Sequence, residues 1–234
     1  MKIAVYTSIF GTYDELIEEQ FKSPNIDYIC FTDTDYVSST WKIKKVVPIY
    51  EDANRNAKKY KILPHRYLKD YDFSIWIDGN IKVIDDVTKL VDINPYKVFD
   101  HNQNILDPRD CIYKEADAII NLGNQNMQRT PERGIKNYKD NPNTILKQIE
   151  KYKREGYPTN NGLATNSIIV RWHNQDSVIS LMENWWQEIK YNSKRDQLSF
   201  DYICWKNNFS YKFLEGDSRN NKYFVSLGAH KGKK

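Results

Sequence analysis

The sequence has few cysteines and no long apolar run, and both shortages narrow the kind of protein it can be. Its three cysteines, Cys30, Cys111 and Cys204, are far apart and odd in number. They form neither a disulfide framework nor a metal cluster, so we expect them to be reduced and mostly buried. No apolar stretch approaches a membrane span, and the N-terminus lacks the long apolar core of a signal peptide. We therefore expect a cytoplasmic location, with peripheral attachment at the inner membrane surface as the alternative.

A strong excess of either charge is also missing. The 35 Lys and Arg residues against 31 Asp and Glu leave a net charge of +4 spread along the chain, which is too slight to indicate nucleic-acid binding. At 234 residues, with 40% hydrophobic and 28% charged residues, the chain is typical of a globular protein with one sizeable core. We predict a single domain over residues 1–234.

The stretch that organises the chain is residues 73–83. Residues 73–77 form an apolar run with β-branched and aromatic members, too short for a helix, which predicts a buried strand. Asp78, Gly79 and Asn80 follow at the strand's exposed end. Asp78 and Asn80 offer hard oxygen donors two positions apart, which suit Mg²⁺ or Mn²⁺ held together with phosphate oxygens. An ordinary hairpin turn between two strands is the alternative interpretation.

The periodicity of the remaining chain predicts an α/β fold. Strands are expected at residues 2–8, 26–31, 41–47, 81–84 in the same sheet, 97–99, 164–171 and 211–214. Helices are expected at residues 13–20, 53–63, 85–90, 110–122, 143–155, 174–190 and 198–205. The polar stretch 123–142 has little periodicity and predicts a long loop or lid.

Four sequence blocks together resemble a glycosyltransferase-like family with plant mucilage-related members. They are residues 61–66, 74–80 (Ser-Ile-Trp-Ile-Asp-Gly-Asn), 109–116 and 195–200 (Arg-Asp-Gln-Leu-Ser-Phe). More distantly, the layout is similar to family eight glycosyltransferases of the GT-A fold, whose Asp-x-Asp metal motif corresponds here to residues 78–80. The resemblance implies a Rossmann-like central mixed sheet flanked by helices, and a role in polysaccharide biosynthesis.

The resemblance also implies a donor site at the carboxyl ends of the strands. In such a fold the loop after the first strand faces the nucleotide, so Thr7, Ser8 and Tyr13 are expected to contact base or ribose, with a solvated loop as the alternative. The resemblance places Asp33 near the nucleoside, although Asp also caps turns. Asn160 and Gly162 are similar to a sugar-contacting loop of the family eight enzymes.

Charged residues complete the implied site. Lys61 lies seventeen positions before Asp78, where family eight enzymes carry a donor-binding arginine, and would face diphosphate or donor sugar. The other charges of that helix are expected to form a solvated face. Asp196 and Gln197 are expected to take catalytic roles, a capped helix start being the alternative.

The C-terminal tail is the last element of the predicted site. His230 corresponds to the third metal ligand of family eight enzymes, and Lys231 would face phosphate, so residues 228–234 would close the site. A frayed basic tail is the alternative.

These observations predict a metal-dependent glycosyltransferase that uses a nucleotide-sugar, by resemblance a UDP-sugar, and a glycan-type acceptor. Mn²⁺ or Mg²⁺ would bridge the phosphates and stabilise the departing diphosphate. Because Asn80 stands where the commoner motif has a second Asp, the ion should bind well only together with nucleotide. A metal-dependent hydrolase of a lipid or phosphoester, and a non-catalytic nucleotide-sugar-binding protein, are the alternatives.

Overall fold

A computed structural model gives the structure of the chain and describes residues 1–11 and 13–228. Within that part the strands are β1 (Ile3–Ile9), β2 (Ile26–Thr32), β3 (Lys42–Lys45), β4 (Phe73–Ile77), β5 (Ile81–Val83), β6 (Tyr96–Asp100), β7 (Ala164–Arg171), β8 (Lys212–Leu214) and β9 (Phe224–Ser226). The α-helices are α1 (Ala53–Ile62), α2 (Pro64–Tyr67), α3 (Ile112–Arg129), α4 (Pro142–Arg154), α5 (Asp176–Tyr191) and α6 (Phe200–Lys206). Short 3-10 helices span Val87–Leu90, His101–Gln103, Pro131–Asn137 and Asp196–Leu198.

Seven strands form one mixed sheet in the order β3-β2-β1-β4-β7-β6-β8. The pairs of β1 with β2, β1 with β4, β2 with β3 and β6 with β8 are parallel, whereas β7 runs antiparallel to both β4 and β6. Every residue of β1 and β4 is buried, as expected for central strands covered on both faces. The predicted single-domain α/β fold with a central mixed sheet flanked by helices is confirmed.

The two faces of the sheet are covered differently. Side chains from α1, α3, α4, α5 and α6 pack on one face, together with alternate sheet residues such as Tyr6 and Trp76. The other face is covered by Trp41, by the apolar side chains of Val87–Leu90 and by β5 and β9, which pair with each other in a small second sheet. Within the described residues, the thick helical layer therefore lies on one face of the sheet.

The antiparallel strand β7 brings its beginning to the edge where β1 and β4 end. Ile77 pairs with Ile168, and the backbone N–H of Asp78 donates to the Ser167 carbonyl at 2.8 Å. Parallel strands collect ligand-binding loops at their carboxyl ends. Because β7 is antiparallel to β4, its first residues, 165–167, lie at the same edge as the carboxyl ends of β1 and β4.

The structure differs from two local expectations, one for β5 and one for residues 13–20. β5 pairs with β9 instead of continuing the main sheet, so residues 78–80 do not connect a β4–β5 hairpin. Residues 13–20 form no helix, because their backbone groups bond to other segments: the Ile17 carbonyl accepts from Trp41 Nε1 at 2.8 Å and the Gln20 N–H donates to the Val83 carbonyl at 3.2 Å.

The stretch 123–142, expected as a loop, is largely helical. α3 continues to Arg129, the 3-10 helix Pro131–Asn137 follows, and α4 begins at Pro142. Gly123 lies inside α3, where the Tyr138 ring packs so closely that a Cβ at this position would stand 2.1 Å from it. The exposed polar side chains of this stretch hid its helical character.

A buried carboxyl fixes the beginning of β7. Asp201 of α6 accepts hydrogen bonds from the Ala164 backbone N–H at 2.9 Å and from the Tyr211 hydroxyl. Burial raises the pKa of Asp201 to about 6, and the two hydrogen bonds only partly offset that effect. The folded protein therefore holds this proton more tightly than the unfolded chain does.

We expect Asp201→Asn to change how stability depends on pH. Since the pKa of an aspartate in the unfolded chain is about 4, the Asp201 carboxyl favours folding fully below about pH 4. That stabilisation is lost as the pH rises through about 6. A neutral Asn should lose nothing over this interval, so the variant should gain roughly 3 kcal/mol relative to wild type between about pH 4 and pH 7.

Urea unfolding at several pH values measures this difference. The exposed Asp70 offers a matched control, and Asp70→Asn should show no comparable gain over the same interval. A free-energy difference between wild type and Asp201→Asn that stays constant with pH would contradict the prediction.

Candidate functional site

Lys61 joins two carboxylates that come from distant parts of the chain. Its ammonium lies 3.0 Å from Asp78 Oδ1 and 2.7 Å from Asp196 Oδ2, and the side chain is 1% exposed. A second lysine, Lys58, lies 2.7 Å from the same Asp196 oxygen. Trp76 Nε1 donates to Asp78 Oδ1 at 2.7 Å. These residues form a charged cluster at the edge of the sheet, which we call the Lys61 cluster (Lys58, Lys61, Asp78 and Asp196).

Helix α1 aims both lysines at this edge. Its N-cap residue is Asp52, whose side chain accepts from the N–H groups of Asn54 and Arg55. Positions 58 and 61 are three residues apart and therefore share one helix face. The carbonyl of Lys61 accepts from the Tyr6 hydroxyl at 2.8 Å and from the buried guanidinium of Arg171. The end of the helix is thus fixed to β1 and β7.

The charges of the cluster settle its protonation. Burial alone would raise the pKa of Asp196, but the charges of Lys58 and Lys61 outweigh burial and hold that pKa well below its usual range. Burial lowers the pKa of Lys58 to about 8, against the attraction of Asp196. Burial also acts to lower the pKa of Lys61, but Asp196 and Asp78 outweigh it and raise the value. Near neutral pH Asp196 and Lys61 are therefore charged.

Two connected cavities open beside the cluster. The inner cavity, of about 160 Å³, is lined by Lys58, Lys61, Trp76, Asp196 and Asn166, among others. The outer cavity, of about 550 Å³, opens past Asn80, His101 and Arg219. Both are lined by Tyr13, Asn54, Asp78, Thr165, Ser167, Arg195 and Gln197, so they form one cleft.

Several buried polar atoms in this cleft have no hydrogen-bond partner among residues 1–11 and 13–228. They are both polar atoms of the Asn166 side chain, Ser167 Oγ, Gln197 Nε2 and Arg195 Nε. Asn166 is 3% exposed and lies on β7. Burying an amide without partners costs free energy, and such groups in a cleft are typical of a site that hydrogen-bonds a polar ligand.

Most of the chain matches a known protein family. Residues 22–225 match the family described as TOD1/MUCI70, glycosyltransferase-like domain. The chain belongs to this family. It is also similar to the "Probable hexosyltransferase MUCI70" of Arabidopsis thaliana, with 23% identity over 253 residues covering 93% of this chain. The aligned part covers 40% of that relative, so the chain spans about two-fifths of its length.

The TOD1/MUCI70-type fold brings most of the predicted charged residues together. Lys61, Asp78, Asp196 and Gln197 all line the inner cavity, and Tyr13 lies at the junction of the two cavities. Their catalytic and donor-binding roles stay predictions. With the four residues of the Lys61 cluster in contact, this group is the best-defined part of the site.

Asn80 lies at the outer cavity and also holds the chain leading to the tail. Its side-chain Nδ2 donates to the Gly228 carbonyl at 2.6 Å, and its own carbonyl accepts from the Leu227 N–H at 2.9 Å. His230 and Lys231, expected as metal and phosphate ligands in the tail 228–234, lie outside the described residues.

Four predicted donor-binding residues lie away from the cleft. Thr7 faces the opposite side of the sheet, where a small cavity lies, while its neighbour Ser8 lines the inner cavity. Asp33 accepts from the Gly11 N–H at 2.9 Å and so holds the loop after β1.

Asn160 and Gly162 precede β7 and pack near Cys111. Residues 165–167 line the cleft instead of Asn160 and Gly162. They do so because β7 is antiparallel to β4, so that the first residues of β7 lie beside the end of β4.

The carboxylates at the end of β4 are oxygen donors of the kind that a hard cation binds. Asp78 and Asp14 both line the inner cavity. Gly79 makes room for the Asp14 carboxylate, since a Cβ there would stand 3.0 Å from Asp14 Oδ2. Within residues 1–11 and 13–228, no group of three or more His, Cys, Asp or Glu side chains is arranged as a metal site. An ion would thus need ligand oxygens or donors of another kind.

Sequence reasoning missed Lys58, Asp14 and Asn166. Lys58 belonged to a run of charges that usually forms a solvated face, and only its three-residue spacing from Lys61 could have distinguished it. Asn166 carried a weak signal, as an amide inside an otherwise apolar strand. Asp14 lies in a segment whose fold depends on distant partners.

No helix in the described part of the chain has the length and apolar character needed to cross a bilayer.

We expect Asn166→Leu to leave the fold at least as stable as wild type. Leu has a similar volume and removes a buried amide whose polar atoms have no partner in the described residues, so the free energy of unfolding should rise by about 1 kcal/mol. Thermal and urea unfolding measure the change.

Asn56 supplies the matched control for this prediction. It is equally buried, but its side chain accepts from the N–H groups of Ile49 and Tyr50 and donates to the Tyr50 carbonyl. Asn56→Leu should therefore destabilise the protein by about 1–3 kcal/mol or more. Equal losses in the two variants would mean that Asn166 has a structural partner.

Proposed function

We propose that this domain is a metal-dependent glycosyltransferase that moves a hexose from a nucleotide-sugar, a UDP-sugar by preference, to a glycan-type acceptor. The observation that carries the proposal is the Lys61 cluster at the base of a cleft whose buried amides have no partner in the described chain. The family match and the similarity to a probable hexosyltransferase support the same reaction class.

The polar groups of the inner cavity suit a donor sugar. A hexose presents hydroxyl groups on all sides, and each can donate and accept hydrogen bonds. We assign Asn166 and Gln197 to bind these hydroxyls, since their buried amides offer both donors and acceptors. Asp196, held ionised by two lysines, is assigned to orient the sugar near its anomeric carbon, where positive charge develops during transfer.

The junction of the two cavities suits the diphosphate. Asp78 and Asp14 at the inner cavity, Asn80 at the outer cavity and His230 of the tail are assigned to hold Mn²⁺ or Mg²⁺. When bound, the ion would offset the negative charge that builds up on the leaving diphosphate.

Lys61 holds Asp78 in place through its ion pair, and Lys231 is assigned to the phosphates. Tyr13, at the mouth, is assigned to the nucleoside.

The first test is thermal unfolding with a panel of nucleoside diphosphates, with and without Mn²⁺. A ligand at about 100 times its dissociation constant should stabilise the protein by about 2.7 kcal/mol. We expect this shift with uridine diphosphate plus Mn²⁺, and little binding of Mn²⁺ alone by calorimetry, because Asn80 brings no charge to the ion.

Asp78→Ala should remove the nucleotide-dependent shift, while the exposed Asp70→Ala should keep it. A full shift in Asp78→Ala would refute the metal assignment. Tight binding of the ion alone would contradict the requirement for nucleotide.

A second test separates an enzyme from a binding protein. Slow hydrolysis of the donor by wild type would indicate an enzyme, and we expect Asp196→Asn to reduce its rate on the order of 100-fold, since an electrostatic contact to the reacting sugar is lost. The nucleotide-dependent shift in unfolding temperature should persist in this variant.

Because the substitution leaves the buried lysines without their carboxylate, the folded fraction is checked first by unfolding. Unchanged hydrolysis in folded Asp196→Asn would limit Asp196 to a structural role. Nucleotide binding by wild type without hydrolysis of any donor would make the domain a binding protein.

A further inference from the structure

The outer cavity is far more basic than the chain as a whole. Lys139, Lys194, Arg195 and Arg219 line it, and the carboxylate in its lining within the described residues is Asp78, which already pairs with Lys61. The net charge of the whole chain is only +4, whereas four cations and one carboxylate of the described residues line this single cavity. Lys139, Lys194 and Arg219 line the outer cavity and not the inner one.

The guanidinium of Arg219 is held in place by a neutral side chain. Its Nη1 donates to Asn104 Oδ1 at 3.1 Å, and its backbone N–H donates to Asp217 Oδ1 at 2.9 Å. Asp217 also accepts from the Ile105 N–H at 3.2 Å, which ties the loop around residue 219 to the loop after β6. Within residues 1–11 and 13–228 the guanidinium has no ion-pair partner. It is a positioned cation that a bound anion could pair with.

Lys139 adds a second cation without an ion pair among the described residues. The two arginines near it are balanced, because Arg109 pairs with Asp107 and lies 2.8 Å from Glu115, and Arg195 lies 3.7 Å from Glu115. Lys139 is exposed, and no ion-pair partner is found for it in the described chain. The charge of Arg195, more than burial, lowers the pKa of Lys139, which shows that it lies in a positive field.

His101 completes the wall as a neutral donor. Burial lowers its pKa, and the nearby Arg109 and Arg219 lower it further against the opposing effect of Glu115. The imidazole is therefore uncharged near neutral pH, and it adds hydrogen-bonding capacity without adding a charge. The fourth cation, Lys194, is paired with Asp52 at 2.6 Å. The unbalanced positive charge thus comes mainly from Arg219 and Lys139.

We propose that the outer cavity binds an acceptor saccharide that carries an anionic group, either a carboxylate or a phosphate. This inference rests on the proposed function, which assigns the inner cavity to the donor sugar. A saccharide bound in the outer cavity would reach the inner one past the shared residues Thr165, Ser167 and Gln197. Its anionic group would lie between Arg219 and Lys139, and neutral acceptors would lack this attraction.

The experiment measures saccharide binding directly, without nucleotide. The probes are an oligouronate, the same oligosaccharide with its carboxyl groups reduced to hydroxymethyl groups, and a phosphorylated neutral oligosaccharide of equal length. We expect wild type to bind at least one of the two acidic probes roughly tenfold or more tightly than the reduced one, because a charged hydrogen bond contributes on the order of this factor. The two acidic probes distinguish a carboxylate from a phosphate. The preference should weaken with added salt.

Two variants locate the effect. Arg219→Gln and Lys139→Gln should each reduce binding of the preferred acidic probe roughly tenfold and leave binding of the reduced probe unchanged. Lys222→Gln and Lys136→Gln are the matched controls, because these exposed lysines lie near the same positions in sequence but do not line the cavity. Both controls should bind the acidic probe as wild type does.

The remaining outcomes overturn the proposal. Wild type that binds acidic and reduced probes alike, or binds none of them, has no anionic subsite. If Arg219→Gln and Lys139→Gln lose the uridine diphosphate shift and the acidic preference to the same degree, these cations serve the donor diphosphate instead. Saccharide binding is measured without nucleotide. If only the nucleotide experiments fail, the proposed function is refuted, but the saccharide-binding measurement still tests whether the outer cavity has an anionic subsite.

Discussion

The site depends on one buried ammonium shared between two carboxylates. Lys61 is almost fully buried, and taking its charge out of water would cost several kcal/mol if it were unpaired. Asp78 and Asp196 offset that cost, and Lys58 balances the second negative charge. Because removing one partner of such a network leaves the others buried and unpaired, the cluster fixes the end of β4, the end of α1 and the 3-10 helix Asp196–Leu198 relative to one another. The cleft inherits its shape from these three elements.

Binding groups in this cleft are set in place before any ligand arrives. Arg171 and Tyr6 hold the Lys61 carbonyl, and Asp201 holds the beginning of β7, where Asn166 lies. The polar atoms that face the cleft are thereby kept on rigid elements while their own hydrogen bonds within the described chain remain unmade. Such an arrangement gives up some stability of the folded state in return for a preformed site.

The central sheet could be predicted from the sequence because its signals are local. The apolar run of β4, the amphipathic pattern of α5 and the capping Asp52 each follow from neighbouring residues. Residues 13–20 could not be predicted, since distant partners such as Trp41 satisfy their backbone groups. The same holds for the site: Lys61, Asp78 and Asp196 followed from motif blocks, whereas Asn166 depended on β7 entering the sheet antiparallel. Direction of a strand is a tertiary property that no local pattern specifies.

The spacing of the Lys61 cluster along the chain has a consequence for synthesis. Lys61 and Asp78 leave the ribosome early, but Asp196 follows well over a hundred residues later. Until Asp196 emerges, Asp78 is the one carboxylate of the cluster that is available to Lys58 and Lys61. Burying both lysines in the nascent chain would therefore cost free energy. The cleft is therefore expected to form late during translation, after α5 has emerged. An N-terminal fragment that ends before Asp196 would contain Asp78 but not the complete Lys61 cluster.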